Sequence, residues 1–180
     1  ECTVQCMTAN ACDNAQITCP RNNDCTLICN EMCSNIQILS ATTTENMNIH
    51  CINSSCQSLI VNASNVANLR FTEHSNSDHS YTASSITIHA ENVKNSTSIT
   101  CLGDYACNEA IIYAEHSNQL QVTANGANVL HFATIYAQHV SSFTLSCISL
   151  DQTGCNNPSL YLPISPSSNI AVNCIGVGCQ

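Results

Sequence analysis

Fifteen cysteines in a chain of 180 residues are the first chemistry on offer. Twelve fall into six close pairs: Cys6/Cys12, Cys29/Cys33, Cys51/Cys56, Cys101/Cys107, Cys147/Cys155 and Cys174/Cys179. Spacings of the C-x3-C and C-x4-C kind serve zinc as well as disulfides. Zinc needs further ligands, and no histidines recur in step with the pairs. The pairs therefore read as six disulfides, and so many disulfides belong to an oxidising, extracellular compartment. Three cysteines remain. Cys19 and Cys25 are spaced to bond across the opposite turn, which leaves Cys2 unpaired or linked to another chain. A Cys2–Cys25 bond with Cys19 free fits the spacing equally.

The other reactive side chains are sparse. Glu91 and Glu115 stand at matching places in the chain, and stacked acids can serve as general acid and base or hold a cation. His74, Asp78 and His79 are of metal-ligating type, but Ser75, Asn76, Ser77 and Ser80 around them mark a polar loop. His116 and His139 read as turn side chains. The expectation is no catalytic residue, no metal and no cofactor. Lys and Arg number 3 against 12 Asp and Glu, for a net charge of −9. Arg21, Arg70 and Lys94 are scattered, so a run of phosphates cannot be neutralised and nucleic acid is excluded as a partner. No apolar stretch approaches the roughly 18 residues of a membrane span.

The elements that position these residues are repeated. Thr26–Cys29, Met47–Cys51, Thr97–Cys101, Phe143–Cys147 and Ile170–Cys174 share one alternating pattern with Thr3–Cys6. Ala67–Phe71 and Leu120–Ala124 are copies without cysteine. A second set interleaves with the first: Ala15–Cys19, Ile36–Ser40, Leu59–Ala63, Ile86–Ala90, Ala110–Ala114, Ala133–Ala137 and, less regularly, Leu160–Ile164. Both alternate apolar and polar with period two, as strands with one buried face do. The period is about 22 residues, stretched once by an insertion at about 73–84. The two exceptional coils carry Phe71/Ala83 and Ala124/Leu130 where the others carry cysteines, so partners are present together or absent together. Bonded pairs give that pattern.

Two strands per repeat, neither able to close a core alone, imply a stacked solenoid. The chain resembles the right-handed parallel β-helix of pectin-lyase-like architecture, in a cysteine-rich extracellular form. The expected fold is all-β: one β-helix domain over residues 1–180, about eight coils of about 22 residues, pinned by corner disulfides. Its inward columns read Val4, Leu27, Ile49, Leu69, Ile99, Val122, Leu145, Val172 and Ile17, Ile38, Val61, Ile88, Ile112, Ile135, Leu162. Enzymes of this architecture cleave acidic polysaccharides with clustered carboxylates and basic residues. The resemblance therefore implies such a lyase or hydrolase as a third reading, although the clusters are absent here.

The outward face of the second strand set carries Ile60, Ile111, Tyr113 and Tyr136, together with Leu39, His89 and Tyr161. That stripe suits a protein interface or sugar stacking. Sequons at Asn53, Asn62 and Asn95 agree with secretion and N-linked glycans. The first strand starts at residue 3 and the last ends at 174 with no capping helix, so the rod is expected either to stack end to end with copies of itself across neutral β-edges or to continue into further sequence. The expected function is structural rather than enzymatic. It is a secreted, glycosylated subunit of an extracellular fibre, coat or appendage, which partners itself end to end. A carbohydrate-binding or adhesive β-helix module is the alternative.

Overall fold

A computed structural model describes residues 1–53, 55–75, 85–149, 154–155, 157–163, 165 and 167–175. It is an all-β parallel solenoid of about seven turns, with seventeen strands among the described residues. The first sheet stacks β1 (Cys2–Cys6), β3 (Cys25–Cys29), β6 (Asn46–Ile52), β9 (Asn68–His74), β11 (Ser96–Leu102), β13 (Gln119–Asn125), β15 (Ser142–Ile148) and β17 (Asn169–Ile175) in that order. The second stacks β2 (Gln16–Thr18), β5 (Gln37–Leu39), β8 (Ile60–Asn62), β10 (Thr87–His89), β12 (Ile111–Tyr113), β14 (Thr134–Tyr136) and β16 (Ser159–Tyr161). A short third sheet, β4 (Cys33–Ser34) on β7 (Cys56–Gln57), lines one corner.

The alternation read in the sequence becomes a strict in-and-out pattern. β6, β11 and β15 each alternate half-buried and buried side chains along all seven residues. Leu27, Ile49, Phe71, Ile99 and Val122 stack rung on rung in one column, and Ile38, Val61, Ile88, Ile112 and Ile135 in the other, all fully buried. At the mouth of the first sheet, Ser96 donates to Asn68, Asn68 to Asn46 and Asn46 to Asp24 (3.2, 2.8 and 2.6 Å). This hydrogen-bonded ladder ties four rungs together.

The register corrects the expected columns in two places. Ile49 pairs with Phe71, not Leu69, so Phe71 holds the middle of the core and Glu73 stands level with Cys51 and Cys101. The outward neighbours of Arg70 are accordingly Asn48 and Ser98. At the other end Ile135 pairs with Leu160 rather than Leu162. Steps between successive first-sheet strands are 22 or 23 residues, except 28 from Leu69 to Thr97 and 27 from Phe143 to Ile170. Two turns are therefore long. Ala83, Asp78 and His79 lie outside the described residues.

Corners of this kind need left-handed backbone, and the chain has only 5 glycines. Asparagine fills the role: it is nine of the seventeen described non-glycine residues with positive φ. Its short amide tolerates that region better than other side chains. Asn14, Asn35 and Ser58 stack in one such corner column, and Glu109 lies on Phe132 in the same way. Phe132 is a poor fit, at φ 55° and 58% exposed. Replacing it by asparagine is expected to stabilise the fold by about 1 kcal/mol. A thermal melt should show a rise in Tm of about 2–4 °C.

Candidate interaction surfaces

The cysteine corner comes first because the sequence marks it most clearly. Cys6–Cys12, Cys51–Cys56, Cys101–Cys107 and Cys147–Cys155 are disulfides within coils, and Cys19–Cys25 closes the opposite turn. Cys174 is disulfide-bonded, and its expected partner Cys179 lies outside the described residues. One expected pair differs: Cys29 and Cys33 are both free and buried. Only three residues separate them, the shortest spacing of any pair, and Cys33 is held in the small third sheet against Cys56. Cys2 is the other free thiol among the described residues, partly exposed on β1. The sulfurs of Cys6, Cys12 and Cys33 lie within 4.8 Å of one another. Two of the three are bonded to each other, so this cluster does not offer the thiolates that a metal needs.

Where the corner lacks cysteine it is sealed otherwise. The Cys107 backbone N–H donates to Glu73 Oε2 at 2.7 Å, one rung away from its own disulfide, and Glu73 is fully buried. In the following coil Ala124 and Leu130 fill the same places and are fully buried. The sequence reading missed Glu73. A step of 22 residues from Cys51 lands on it, and that spacing was the available signal.

The stripe on the second sheet is a ladder of stacked rings. His89, Tyr113, Tyr136 and Tyr161 follow one another with centroids 4.9, 4.9 and 4.7 Å apart and planes within 9° of parallel. The spacing is simply the rung spacing, because parallel in-register strands place like positions directly above one another. Ile60 and Ile111 run beside the ladder in register, with Thr87 between them. Each inner ring is covered on both faces by its neighbours. What the surface presents is ring edges and phenol hydroxyls.

Around the ladder the polar groups are occupied. Glu91 accepts from Ser64 Oγ at 3.0 Å and lies 3.4 Å from His89 Nδ1. Asn62 is exposed one rung before His89 in the same column. Asn53 and Asn95 are also exposed, at turns on other faces. His116 stacks on His139, with centroids 4.7 Å apart. His74 is exposed at the end of β9.

The ends of the solenoid differ from its middle. β17 is exposed along its whole length, with Ile170 45%, Val172 52% and Ile175 62% exposed. Val172 and Ile170 belong to the inward columns, stacked on Leu145 and Phe143. Beside them Leu160, Pro158 and Leu145 open an apolar cleft of 440 Å³. At the other end Val4 and Ile17 are only partly buried and pack on the core from one side. No helix among the described residues is long and apolar enough to cross a membrane. No protein-family model matches the chain, and comparison with curated proteins and with solved structures finds no significant match.

Proposed function

We propose that this protein is a structural subunit of an extracellular fibre, coat or appendage, built by adding copies end to end across the edges of the solenoid. The observation that carries this reading is the bare inward face of β17, with Ile170 and Val172 about half exposed and Val172 lining an apolar cleft. Inward residues of a β-solenoid are buried by the next coil, so these side chains ask for one. Neither edge carries charge: β1 reads CTVQC and β17 reads NIAVNCI. Natural edges that must stay single are usually blunted with Lys or Pro. Stacking β17 on β1 of a second copy puts Val172 on Val4 and continues the core, and the partly exposed thiol of Cys2 sits on that same edge. The disulfide-bonded corners suit secretion, and glycans on Asn53, Asn62 and Asn95 would decorate the sides of the rod.

The junction has a built-in asymmetry. The first sheet has eight described strands and the second seven. Stacking on β17 leaves the second sheet one strand short, whereas stacking β2 on β16 makes β1 and β17 compete for one position. Strand exchange at each joint, or continuation of the solenoid within a longer repeat chain, accommodates this asymmetry.

Carbohydrate binding through the ring stripe is the second reading, favoured by the exposed ladder itself. Sugars stack on ring faces, and here the inner faces are covered, so of the ladder's tyrosines only Tyr161, 45% exposed at its end, is placed for it. The assembly reading is tested by sedimentation velocity over a concentration series. The expected result is a weight-average sedimentation coefficient that climbs with concentration in the wild type and stays at the monomer value in Val172→Lys. A wild type that remains monomeric at the highest concentration overturns it.

A further inference from the structure

The first two coils hold seven cysteines: Cys2, Cys6, Cys12, Cys19, Cys25, Cys29 and Cys33. Two bonds use four of them, and the thiols of Cys29 and Cys33 are stacked one rung from the Cys6–Cys12 disulfide. Cys6 and Cys29 are direct partners across the first sheet. The Cys33 sulfur lies within 4.8 Å of both sulfurs of that disulfide. A reduced pair directly above an oxidised pair, with one thiol in reach of both bonded sulfurs, is the arrangement for exchange.

We propose that Cys6, Cys12, Cys29 and Cys33 form one intramolecular thiol–disulfide exchange site, in which a single disulfide moves between the first and second coils. The Cys33 sulfur attacks Cys12 Sγ, and its proton passes to the departing Cys6. The Cys33–Cys12 bond forms as the Cys6–Cys12 bond breaks, and the electron pair leaves on Cys6, which takes a proton. Cys29 then attacks Cys33, its proton passing to the departing Cys12 sulfur. The Cys29–Cys33 bond forms as Cys33–Cys12 breaks, and Cys12 leaves as a thiol. Each stage has one disulfide and two thiols, so neither oxidant nor reductant is consumed.

The order of attack follows from the surroundings. Burial first, then the neighbouring Cys33 and its hydrogen bond, push the Cys29 thiol up to about 12. Cys29 therefore keeps its proton and donates it towards Cys33, which leaves Cys33 as the first nucleophile. The Cys51–Cys56 disulfide lies one rung to the other side of Cys29 and Cys33, but the described sulfurs that cluster within 4.8 Å are those of Cys6, Cys12 and Cys33, which directs exchange to the first coil. Glu73 interrupts the cysteine column between Cys51 and Cys101, and Ala124 interrupts it between Cys101 and Cys147. The consequence is a movable pin. In one state the corner of the first coil is closed; in the other Cys12, which is partly exposed, becomes a thiol on the terminal coil.

The test uses the unmodified protein. It is equilibrated at about pH 8, where thiolates form, quenched in acid, alkylated under denaturing conditions and digested without reduction for mass spectrometry. The expected result is two populations with equal numbers of alkyl groups, one containing Cys6–Cys12 and the other Cys29–Cys33. In Cys33→Ser the second population is lost while Cys6–Cys12 remains. Recovery of Cys6–Cys12 alone from the wild type overturns the proposal. So does recovery of both bonds in the same molecules, since no dithiol would then be available to exchange.

Discussion

Gly103→Ala is expected to prevent stable folding, with a loss of at least about 3 kcal/mol. Gly103 has φ +89° in a corner where the chain passes directly over the turn before it. A Cβ there would overlap the carbonyl oxygen of Ser75, and backbone cannot rotate away as a side chain can. The strain would not stay local. Gly126 is stacked on Gly103 one rung further on, with its own φ at +147° and no room for a Cβ against the Gly103 carbonyl. Backbone bonds run through the same column: Ser75 N–H donates to Leu102 O at 2.7 Å, and Gly103 N–H donates to Asn125 O at 2.8 Å. Circular dichroism during urea titration should show a much lower midpoint or no cooperative transition. An unchanged midpoint would mean that this corner is not packed as described.

Phe71→Ala should cost about 3–5 kcal/mol. Phe71 is among the largest fully buried side chains, in the centre of the middle inward column between Ile49 and Ile99. The neighbouring columns are held by backbone ladders on both sides, so they cannot collapse into the space that the ring leaves. The substitution also separates two registers. If Leu69 held the middle column, Phe71 would sit at the cysteine corner and its truncation would be milder than that of Leu69. With Phe71 central, truncating it should be the more damaging change in the same urea titration.

That register shows what was legible in the sequence and what was not. Period-two alternation identifies strands and tells inward from outward positions, and it did so for Ile38, Ile88 and Ile112 without error. A slip of two residues preserves the alternation, so the pattern alone cannot distinguish Leu69 from Phe71 as the central residue. The cysteine that marks the position in other coils is absent there. Its replacement, Glu73, is a residue type that composition reasoning assigns to the surface. Only the stacked structure shows why a carboxylate is tolerated: it accepts the Cys107 N–H inside the corner. The abundance of asparagine was visible as a neutral surface, but its use at left-handed corners depends on φ, which composition does not carry. The ring ladder was legible as a stripe of positions. That its inner faces are closed to a ligand follows from the rung spacing, which fixes ring against ring.

The Cys29/Cys33 pair marks a different limit. Joint presence in one coil correctly places two cysteines at the same corner, and the register puts them with the others. Their oxidation state is a matter of energetics between neighbouring rungs, where a disulfide and a dithiol one step apart compete. Sequence spacing has no term for that competition.

End-to-end assembly is the claim on which the functional reading stands, and electron microscopy of negatively stained protein across a concentration range tests it most directly. Rods should appear whose lengths are multiples of one copy, about 38 Å for eight rungs, becoming longer as concentration rises. Uniform rods one copy long at the highest concentration would contradict it.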